Sequence, residues 1–416
     1  MRGASDLGGA GAREQARCIF VPGRIELFGK HVDYGGGPSL TCAISEGITA
    51  EWEPIGRAVI EVEDQTSGRR TSVPLRRDAG QGGAHGGAYV TAVARRLSRD
   101  FAPLKVGVRV RSVSTLPRSS GLSSSSAFIT MLVVAVAEAN GLRERRVWRD
   151  VLASPLAFAE YCGAIEMGGA FGPFSGDKGV GTRGGAQDHV AIVCSEADAV
   201  GAYSYLPAIR VGRGSFPAHW SILVGVSGVR ATKTGGALAD YNRASDVVRD
   251  LVGLWNRATG RLDASLGSAL RSAPEAAARL TAMARNAPNA PAFLARIEQF
   301  RAETERMVPQ ALQAFETADA ALLGRLSVES QQRAETALRN QIPETMFLAR
   351  AAMAAGAHGA TAFGAGFGGA VWAVVDRDGA NAVLERWRAS YAAAFPLRAE
   401  KSEWLVVRPG AGVCPP

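Results

Sequence analysis

The stretch "PGRIELFGKHVDYGGG", residues 22–37, brings Arg, Glu, Lys, His, Asp and Tyr together between glycines. It continues the apolar segment "CIFV" at 18–21, so the pattern predicts a strand that runs into a glycine-rich turn. The stretch is too polar for a core strand, and it carries too many hydrogen-bonding groups of both signs for a linker. We therefore expect a loop that binds a ligand rich in polar groups.

Composition narrows the class of protein. The chain has 416 residues, of which 47% are hydrophobic, so it is long enough for two domains with sizeable cores. Its formal net charge is +8, but the arginines are dispersed and form no block of like charge, which disfavours a nucleic-acid surface. Such a basic chain would still attract anionic small molecules such as nucleotides. The five cysteines are scattered without a CxxC pair, so neither a disulfide framework nor a zinc site is indicated.

No targeting or membrane segment is indicated. The N-terminus "MRGASDLGGAGAREQAR" lacks the apolar core of a signal peptide. The longest apolar stretch, "AFITMLVVAVA" at 127–137, is too short to span a bilayer. We expect a soluble cytoplasmic protein without a membrane partner.

The order of patterns along the chain predicts an α+β fold. Residues 47–65 alternate like paired strands, and 104–113 form another strand. Residues 127–141 read as a buried helix, a second helix follows around 147–164, and 236–355 are mostly helical. A glycine loop then runs into a late buried strand. Early strands and helices followed by a helical region and a late strand favour α+β over a doubly wound sheet.

The loop "PRSSGLSSSSAF", 117–128, places a glycine and four consecutive serines before an apolar helix. Free amide groups at a helix start carry partial positive charge and bind phosphate, and serine hydroxyls can reach phosphate oxygens or Mg²⁺. The alternative is a serine-rich helix cap and linker. The GxxxxGK[ST] pattern of the common P-loop is absent.

Two further glycine-rich segments are candidates for a site. "GATAFGAGFGGAVWAVV" at 359–375 precedes a strand, which is the reverse of a dinucleotide-binding fingerprint. "GTRGGAQDH" at 181–189 holds Asp188 after a glycine turn, where its carboxylate could accept a proton from a substrate hydroxyl. A plain helix-capping Asp is the alternative.

Taken together, these segments resemble the GHMP small-molecule kinase superfamily. Within it, the first motif of galactokinases, PGRVNLIGEHTDYNGG, is similar to residues 22–37, and GGxMDQ is similar to "GTRGGAQDH". "VGVSGVRATKTGGALADYNRAS", 224–245, is similar to the family's strand and following helix with a sugar-contacting Tyr. The resemblance runs from about residue 20 to 375 in the family's order.

The resemblance implies a two-domain α+β GHMP kinase fold with ATP and sugar in the cleft between the domains. It divides the chain into a disordered tail (1–16), an N-terminal domain (17–215) and a C-terminal domain (216–416). It implies ATP-dependent phosphorylation of the anomeric hydroxyl of a free sugar, giving a sugar 1-phosphate. ATP, Mg²⁺ and a small sugar are the expected ligands, no nucleic-acid partner is expected, and the protein would be a monomer or homodimer.

The resemblance also assigns roles to residues of this chain. Asp188 matches the catalytic base, and Arg24 matches the residue that steadies it and the transferring phosphoryl group. The matches to sugar-binding residues are Lys30, His31, Asp33, Gly185 and Tyr241. The matches to ATP- and phosphate-binding residues are Ser119, Ser120, Gly121, Leu122, Ser123, Ser124, Ser125 and Ser126. For Mg²⁺ the matches are Ser125 or Ser126 with Glu160, although extra residues at 166–181 disturb the spacing from Glu160 to Asp188.

Departures from the motif bear on the substrate. Lys30 replaces a Glu that contacts the C6 hydroxyl in galactokinases, and Glu26 replaces an Asn. An altered group at a hydroxyl-reading position changes specificity strongly. We therefore expect a galactose-like sugar altered or extended at C6, such as a heptose, an octose, an acidic sugar or an amino sugar. A true galactokinase and a non-catalytic sugar- and ATP-binding regulator on the same fold are the alternatives.

A third alternative is a serine acyltransferase of the penicillin-binding class. The segments "SGDK" at 175–178 and "KTG" at 233–235 imitate two motifs of that class. The Ser of that class must open a helix beneath a sheet, whereas this one lies in a glycine-rich loop and no SDN-type element lies between the two segments. We attribute both matches to chance.

Overall fold

The computed structural model describes residues 16–80, 87–118, 120–230 and 236–413, without the side chains of 236–241. Residues 1–15 of the expected tail (1–16) and Ser119 therefore lie outside the described residues. The same holds for the side chain of Tyr241.

Twelve strands within the described residues form two sheets. In chain order they are β1 (Arg17–Phe28), β2 (Ser39–Ile55), β3 (Val59–Asp64), β4 (Arg69–Pro74), β5 (Gly107–Ser114), β6 (Ala199–Ser204), β7 (Ile209–Ser215), β8 (Trp220–Val226), β9 (Gly359–Ala362), β10 (Ala370–Asp376), β11 (Glu403–Val407) and β12 (Pro409–Gly410).

The first sheet has eight strands. Its order is β4-β3-β5-β2-β6-β7, and both β1 and β12 pair with β2. All of its pairs are antiparallel except β3 with β5. The register of β1 against β2 shifts between Pro22 and Arg24 and again between Glu26 and Phe28. Such bulges twist a strand and re-aim its side chains, and these two lie in the motif that opens the site.

The second sheet has four antiparallel strands in the order β11-β8-β10-β9. Every residue of β8, "WSILVGV", is buried, as is "AVWAVV" of β10. Continuous apolar runs of this length fit strands that are covered on both faces.

Fourteen α-helices complete the described fold. They are α1 (Gly87–Asp100), α2 (Ser124–Ala139), α3 (Arg146–Val151), α4 (Pro155–Met167), α5 (Gln187–Cys194), α6 (Gly236–Thr259), α7 (Leu266–Leu270), α8 (Ala276–Arg285), α9 (Ala290–Arg301), α10 (Val308–Glu316), α11 (Ala320–Arg333), α12 (Pro343–Ala354), α13 (Ala380–Ala394) and α14 (Pro396–Ala399). Two π-helical segments, Ala302–Met307 and Ala334–Leu338, follow α9 and α11.

Helix α2 lies at the centre of the first core. Its apolar run "AFITMLVVAVA" is almost wholly buried, and the helix contacts β1, β2, α1 and α4. A helix that is apolar on all sides is expected in the interior. Its buried position fixes the serine loop that precedes it.

A separate hydrophobic cluster anchors the loop after β1. Val32 packs with residues of α6 to α9, among them Trp255 and Phe300. The short 3₁₀ turn Asp33–Gly35 follows, and Gly36 takes a left-handed φ of 72° there. The loop is therefore held between the first sheet and the later helices.

Several sequence expectations need adjustment. The α+β class, the late helical region and the buried strand after the second glycine loop are confirmed. The expected pairing within 47–65 is wrong, because β5 lies between β2 and β3. The helix expected around 147–164 is two helices, α3 and α4. The division at 215/216 stays a prediction, and β12 returns the end of the chain to the first sheet.

Candidate active site

Asp188 and Arg24 meet where β1 and the start of α5 come together. Nη2 and Nε of Arg24 donate to Oδ1 of Asp188 at 2.6 and 2.8 Å, and the Ser123 hydroxyl donates to Oδ2 at 2.6 Å. The Arg24 side chain is 4% exposed and that of Asp188 is 17% exposed. Burial alone would lower the pKa of Arg24, but attraction to Asp188 and then to Glu26 outweighs it and leaves the pKa raised. The pair is therefore a charged, oriented unit with a carboxylate that solvent or a ligand can reach.

A small polar cavity adjoins this pair. Its volume is small, about 30 Å³. The lining consists of Arg24, Glu26, His31, Asp33, Tyr34, Gln187, Asp188, Gly364 and Ala365. Four of these residues, Arg24, His31, Asp33 and Asp188, were expected from the sequence.

The loop after β1 presents His31 and Asp33 to this cavity. Nδ1 of His31 lies 3.0 Å from the Tyr34 hydroxyl, and Nε2 lies 3.2 Å from the Ala365 carbonyl oxygen and 3.1 Å from Nδ2 of Asn340. His31 takes a left-handed φ of 58°, which suits a tight, functional turn. Burial, followed by repulsion from Asp188, raises the pKa of Asp33.

Gly185 lies against Asp33, one of the residues that line the cavity. A Cβ added at Gly185 would come within 2.2 Å of Oδ2 of Asp33 and 2.9 Å of the Tyr34 amide nitrogen. No larger residue fits this position unless the loop shifts, so the glycine lets the α5 turn and the β1 loop approach closely.

Lys30 does not point into the cavity. Its side chain is buried, and its ammonium group donates to the Ser330 hydroxyl at 2.7 Å and the Thr361 hydroxyl at 2.6 Å. The Ser330 hydroxyl donates in turn to Glu303 at 2.6 Å. Burial lowers the pKa of Lys30 to about 8 against the attraction of Glu303. The position of Lys30 therefore does not support the expectation that it contacts the sugar, because its ammonium group is hydrogen-bonded in the protein interior.

The serine loop begins α2 as the phosphate-binding expectation requires. Gly121 and Ser123 take left-handed φ values of 84° and 62°, and the helix starts at Ser124. Gly121 faces the second glycine loop, because a Cβ added at Gly364 would lie 3.4 Å from the Gly121 carbonyl oxygen. The two glycine-rich loops therefore contact each other close to the start of the helix.

Glu166 occupies the place beside the serines that Glu160 was expected to take. The hydroxyls of Ser125 and Ser126 donate to its two carboxylate oxygens at 3.1 and 2.8 Å, and Nε2 of His189 lies 2.9 Å from Oε2. Glu160 instead accepts a hydrogen bond from the Ala208 amide at 2.7 Å. The metal assignment of Glu160 is wrong in position, because residues six apart on α4 point in directions roughly 120° apart.

A second, larger cavity lies beside the start of α2. Its volume is about 320 Å³, and it is bordered by the ends of β3, β4 and β5 and by α1 and α2. Its lining is Ile48, Val62, Asp64, Thr66, Arg69, Thr71, Tyr89, Ser112, Ser114, Leu116, Arg118, Ser124, Ser125 and Phe128. A cavity of this size with an apolar wall, opening on a helix N-terminus, can take a nucleoside with its phosphates at the serines.

Two negative findings concern the described residues. No group of three His, Cys, Asp or Glu side chains in them is placed to hold a metal ion. A Mg²⁺ ion that shares its ligands with phosphates needs only one or two carboxylates, so this finding does not bear on the serine site. Within the same residues, no helix combines the length and hydrophobicity of a bilayer-spanning segment.

Comparison with known families agrees with this geometry. Residues 10–54 match the galactokinase galactose-binding signature, 88–168 match the GHMP kinases N terminal domain, and 311–393 match the GHMP kinases C terminal domain. The chain belongs to the GHMP kinase family. It is a sugar kinase, a phosphotransferase that uses ATP.

Relatives of this sugar kinase are similar over nearly its whole length. A galactokinase of Thermococcus kodakarensis is 26% identical over 95% of this chain and 99% of its own. One of Actinobacillus pleuropneumoniae is 24% identical over 86% of this chain and 85% of its own. Lactococcus lactis galactokinase complexed with galactose has a TM-score of 0.78 at 20% identity, covering 98% of this chain and 97% of its own. At that identity the structural match establishes the fold alone.

Some residues of the site were not expected from the sequence. Glu166 was missed, although it precedes Asp188 more closely than Glu160 does. Gln187 and His189 stand where the similar GGxMDQ segment has Met and Gln, and each has a charged partner: Glu26 for Gln187 at 2.6 Å and Glu166 for His189. The first of these differences was a usable signal, because a polar residue in place of an apolar one beside a candidate base indicates a new polar neighbour.

Proposed function

We propose that this GHMP sugar kinase transfers the γ-phosphoryl group of ATP to the anomeric hydroxyl of a free monosaccharide and releases a sugar 1-phosphate. The observation that carries the proposal is the triad of Arg24, Asp188 and Ser123 between the polar cavity and the start of α2. Such a carboxylate can accept the proton of the sugar hydroxyl on one side. The phosphate loop would hold the γ-phosphoryl group that the sugar oxygen attacks on the other side.

Asp188 is the proposed general base. Its Oδ2 accepts the Ser123 hydroxyl, and the sugar hydroxyl would take that place when the substrate binds. Proton transfer to Asp188 would leave the sugar oxygen as a nucleophile in line with the γ-phosphorus. Arg24 would keep the carboxylate oriented and offset negative charge that builds up on the transferring group.

The serine loop is the proposed phosphate site. It leads into the first turn of α2, whose free backbone amides would bind the phosphates, and the cavity of about 320 Å³ next to it would take the nucleoside. Glu166 with Ser125 and Ser126 is an oxygen donor set that suits Mg²⁺. Bound there, the ion would supply charge compensation to the phosphates.

The proposed substrate is a galactose-like sugar that is altered or extended at C6. The support is that position 30 offers no carboxylate to the sugar, because Lys30 uses its ammonium group on Ser330 and Thr361. An acidic sugar is disfavoured for the same reason, because the Lys30 ammonium group is not available to pair with a sugar carboxylate. A true galactokinase remains the second candidate, favoured by the galactose-binding signature at 10–54.

A panel of free sugars with ATP and Mg²⁺ tests the proposal. It should contain galactose, glucose, heptoses, 6-deoxy sugars and amino sugars, with ADP release as the rate and phosphorus NMR to locate the phosphate. We expect an anomeric phosphate and a turnover that depends on Asp188. Nucleotide binding without any sugar phosphate across the panel would support the non-catalytic regulator, and phosphate on another hydroxyl would contradict the anomeric assignment.

A further inference from the structure

The carboxylate of Glu26 is an unsatisfied polar group inside the sugar cavity. Glu26 is 4% exposed and lines that cavity. Its Oε2 accepts a hydrogen bond from Nε2 of Gln187 at 2.6 Å, whereas Oε1 has no hydrogen-bond partner among the described residues. A buried acceptor without a partner is costly, so native structures keep one mainly where a ligand or a function needs it.

The charges around this cavity are unbalanced. Three of the lining residues are carboxylic acids, namely Glu26, Asp33 and Asp188, and Arg24 is the only lining residue with a fixed positive charge. Arg24 directs Nε and Nη2 to Asp188 and Nη1 to the Gly121 carbonyl oxygen. Burial raises the pKa of Glu26 to about 8, and the attraction of Arg24, the hydrogen bond from Gln187 and the attraction of the more distant Lys30 offset only part of this. A cation beside Oε1 would relieve both the burial and the imbalance.

Glu26 is also placed to touch a substrate whose reacting hydroxyl is at Asp188. Arg24 and Glu26 are two residues apart on β1, where alternate side chains share a face about 6.5–7 Å apart. Arg24 binds Asp188, and Gln187, the neighbour of Asp188, binds Glu26. The carboxylates of Glu26 and Asp188 therefore both lie within reach of one bound monosaccharide.

We propose that Glu26 is a specificity residue that binds the ammonium group of an amino sugar through its free Oε1. This inference rests on the proposed sugar 1-kinase function and names the substrate class within it. The amine replaces one hydroxyl of the sugar, at a carbon other than the reacting one. An ammonium group carries three donors, so it can satisfy Oε1 and still bond to Asp33 or to water.

The test compares each amino sugar with its parent. Wild-type kcat/KM is measured for galactose and for its 2-, 3-, 4- and 6-amino-deoxy forms, and the best amino form should exceed galactose by about 10- to 100-fold, the range for a hydrogen bond to a charged group. Glu26→Gln should remove most of that ratio, because the amino form should lose more kcat/KM than galactose does. Glu26→Asn, which gives the residue of the galactokinase motif, should remove it as well.

The matched control is Glu160→Gln, which changes a carboxylate bonded to the Ala208 amide away from the cavity and should preserve the wild-type ratio. Thermal melts identify a variant that does not fold. If one of the two Glu26 variants fails to fold, the kcat/KM ratio of the other tests the inference. Turnover of galactose without a preference for any amino form would overturn the amino-sugar inference and leave the kinase function standing. An equal loss for amino and parent sugars in the Glu26 variants would also overturn it. Absence of any sugar phosphate would instead refute the sugar 1-kinase itself.

Discussion

Replacing Lys30 with methionine should destabilise the folded protein without removing a group from the sugar cavity. The ammonium group lies in the interior, where it donates to Ser330 and Thr361 and is attracted by Glu303. Methionine has a similar length and no charge. The loop backbone keeps its own anchors, because Gln299 donates to the Lys30 carbonyl oxygen at 3.0 Å and Arg296 donates to that of His31.

The magnitude follows from what the substitution leaves behind. Glu303 is fully buried and accepts hydrogen bonds from the Gly29 amide at 2.8 Å and from Ser330 at 2.6 Å. Without Lys30, the Glu303 carboxylate loses the attraction of the ammonium group that binds Ser330 together with it. Lys30 reaches Glu303 through the Ser330 hydroxyl, so the cost comes from the two hydrogen bonds of its ammonium group; hydrogen bonds to a charged group are worth about 1.5–3 kcal/mol each, or about 3–6 kcal/mol together. Thr361 also loses the ammonium group, but it keeps Gln331 at 3.0 Å.

Urea unfolding followed by circular dichroism measures the effect. We expect Lys30→Met to lower the free energy of unfolding by about 3–6 kcal/mol. Lys105→Met changes an exposed lysine and should stay within about 0.5 kcal/mol of wild type. Glu303→Gln in the Lys30→Met background should recover part of the loss, with a coupling of about 1–3 kcal/mol, because it removes the stranded charge.

Two results would refute this reasoning. A Lys30→Met protein within about 1 kcal/mol of wild type would show that the buried cation contributes little. A folded Lys30→Glu variant with improved kcat/KM for galactose would show that residue 30 faces the sugar, as the motif comparison alone suggests. From its position, we expect Lys30→Glu to bring a second carboxylate near Glu303 and to fold poorly.

Three further predictions concern the proposed chemistry. Asp188→Asn should keep nucleotide binding and lower kcat by about 10²–10⁴-fold, read by ADP release, and near-normal turnover would reduce Asp188 to a helix-start residue. Glu166→Gln should raise the Mg²⁺ concentration needed for half-maximal rate, whereas Glu160→Gln should not; the reverse pattern would restore the sequence assignment. Glu26→Gln should be more stable than wild type by a margin that grows from about pH 4.5 to pH 8. Because the pKa of Glu26 is higher in the folded than in the unfolded state, wild type loses stability as pH rises through this window, by at most about 5 kcal/mol. A difference in unfolding free energy between the two proteins that does not change with pH would contradict this prediction.

Much of this fold was predictable from local pattern. The apolar run before Gly141 predicted a buried helix, and the alternation at 104–113 predicted β5. The order of three glycine-rich segments indicated the family. Strand neighbours were less predictable, because β5 enters between β2 and β3 although it follows them by more than forty residues. Periodicity reports which face of a strand is buried but carries no information on its partner.

The candidate site was predictable in its residues and less so in their directions. Asp188, Arg24, His31 and Asp33 do line one cavity, because their motifs fix short turns on neighbouring elements. Glu160 was misplaced because the residues inserted at 166–181 removed the spacing on which the assignment depended, and helical phase on α4 then favours Glu166.

The direction of Lys30 depends on backbone geometry that no motif shows. The register of β1 shifts between Glu26 and Phe28, and Gly29 then takes a left-handed φ of 87°. A one-residue shift in a strand reverses which face each side chain occupies, so the alternation that places Glu26 cannot be continued to residue 30. The two motif differences thus have different consequences: Lys30 becomes part of an interior network, and Glu26 brings a carboxylate into the cavity. Position 30 therefore bears on the substrate only through the carboxylate that it lacks, whereas Glu26 is where this motif adds a group to the cavity.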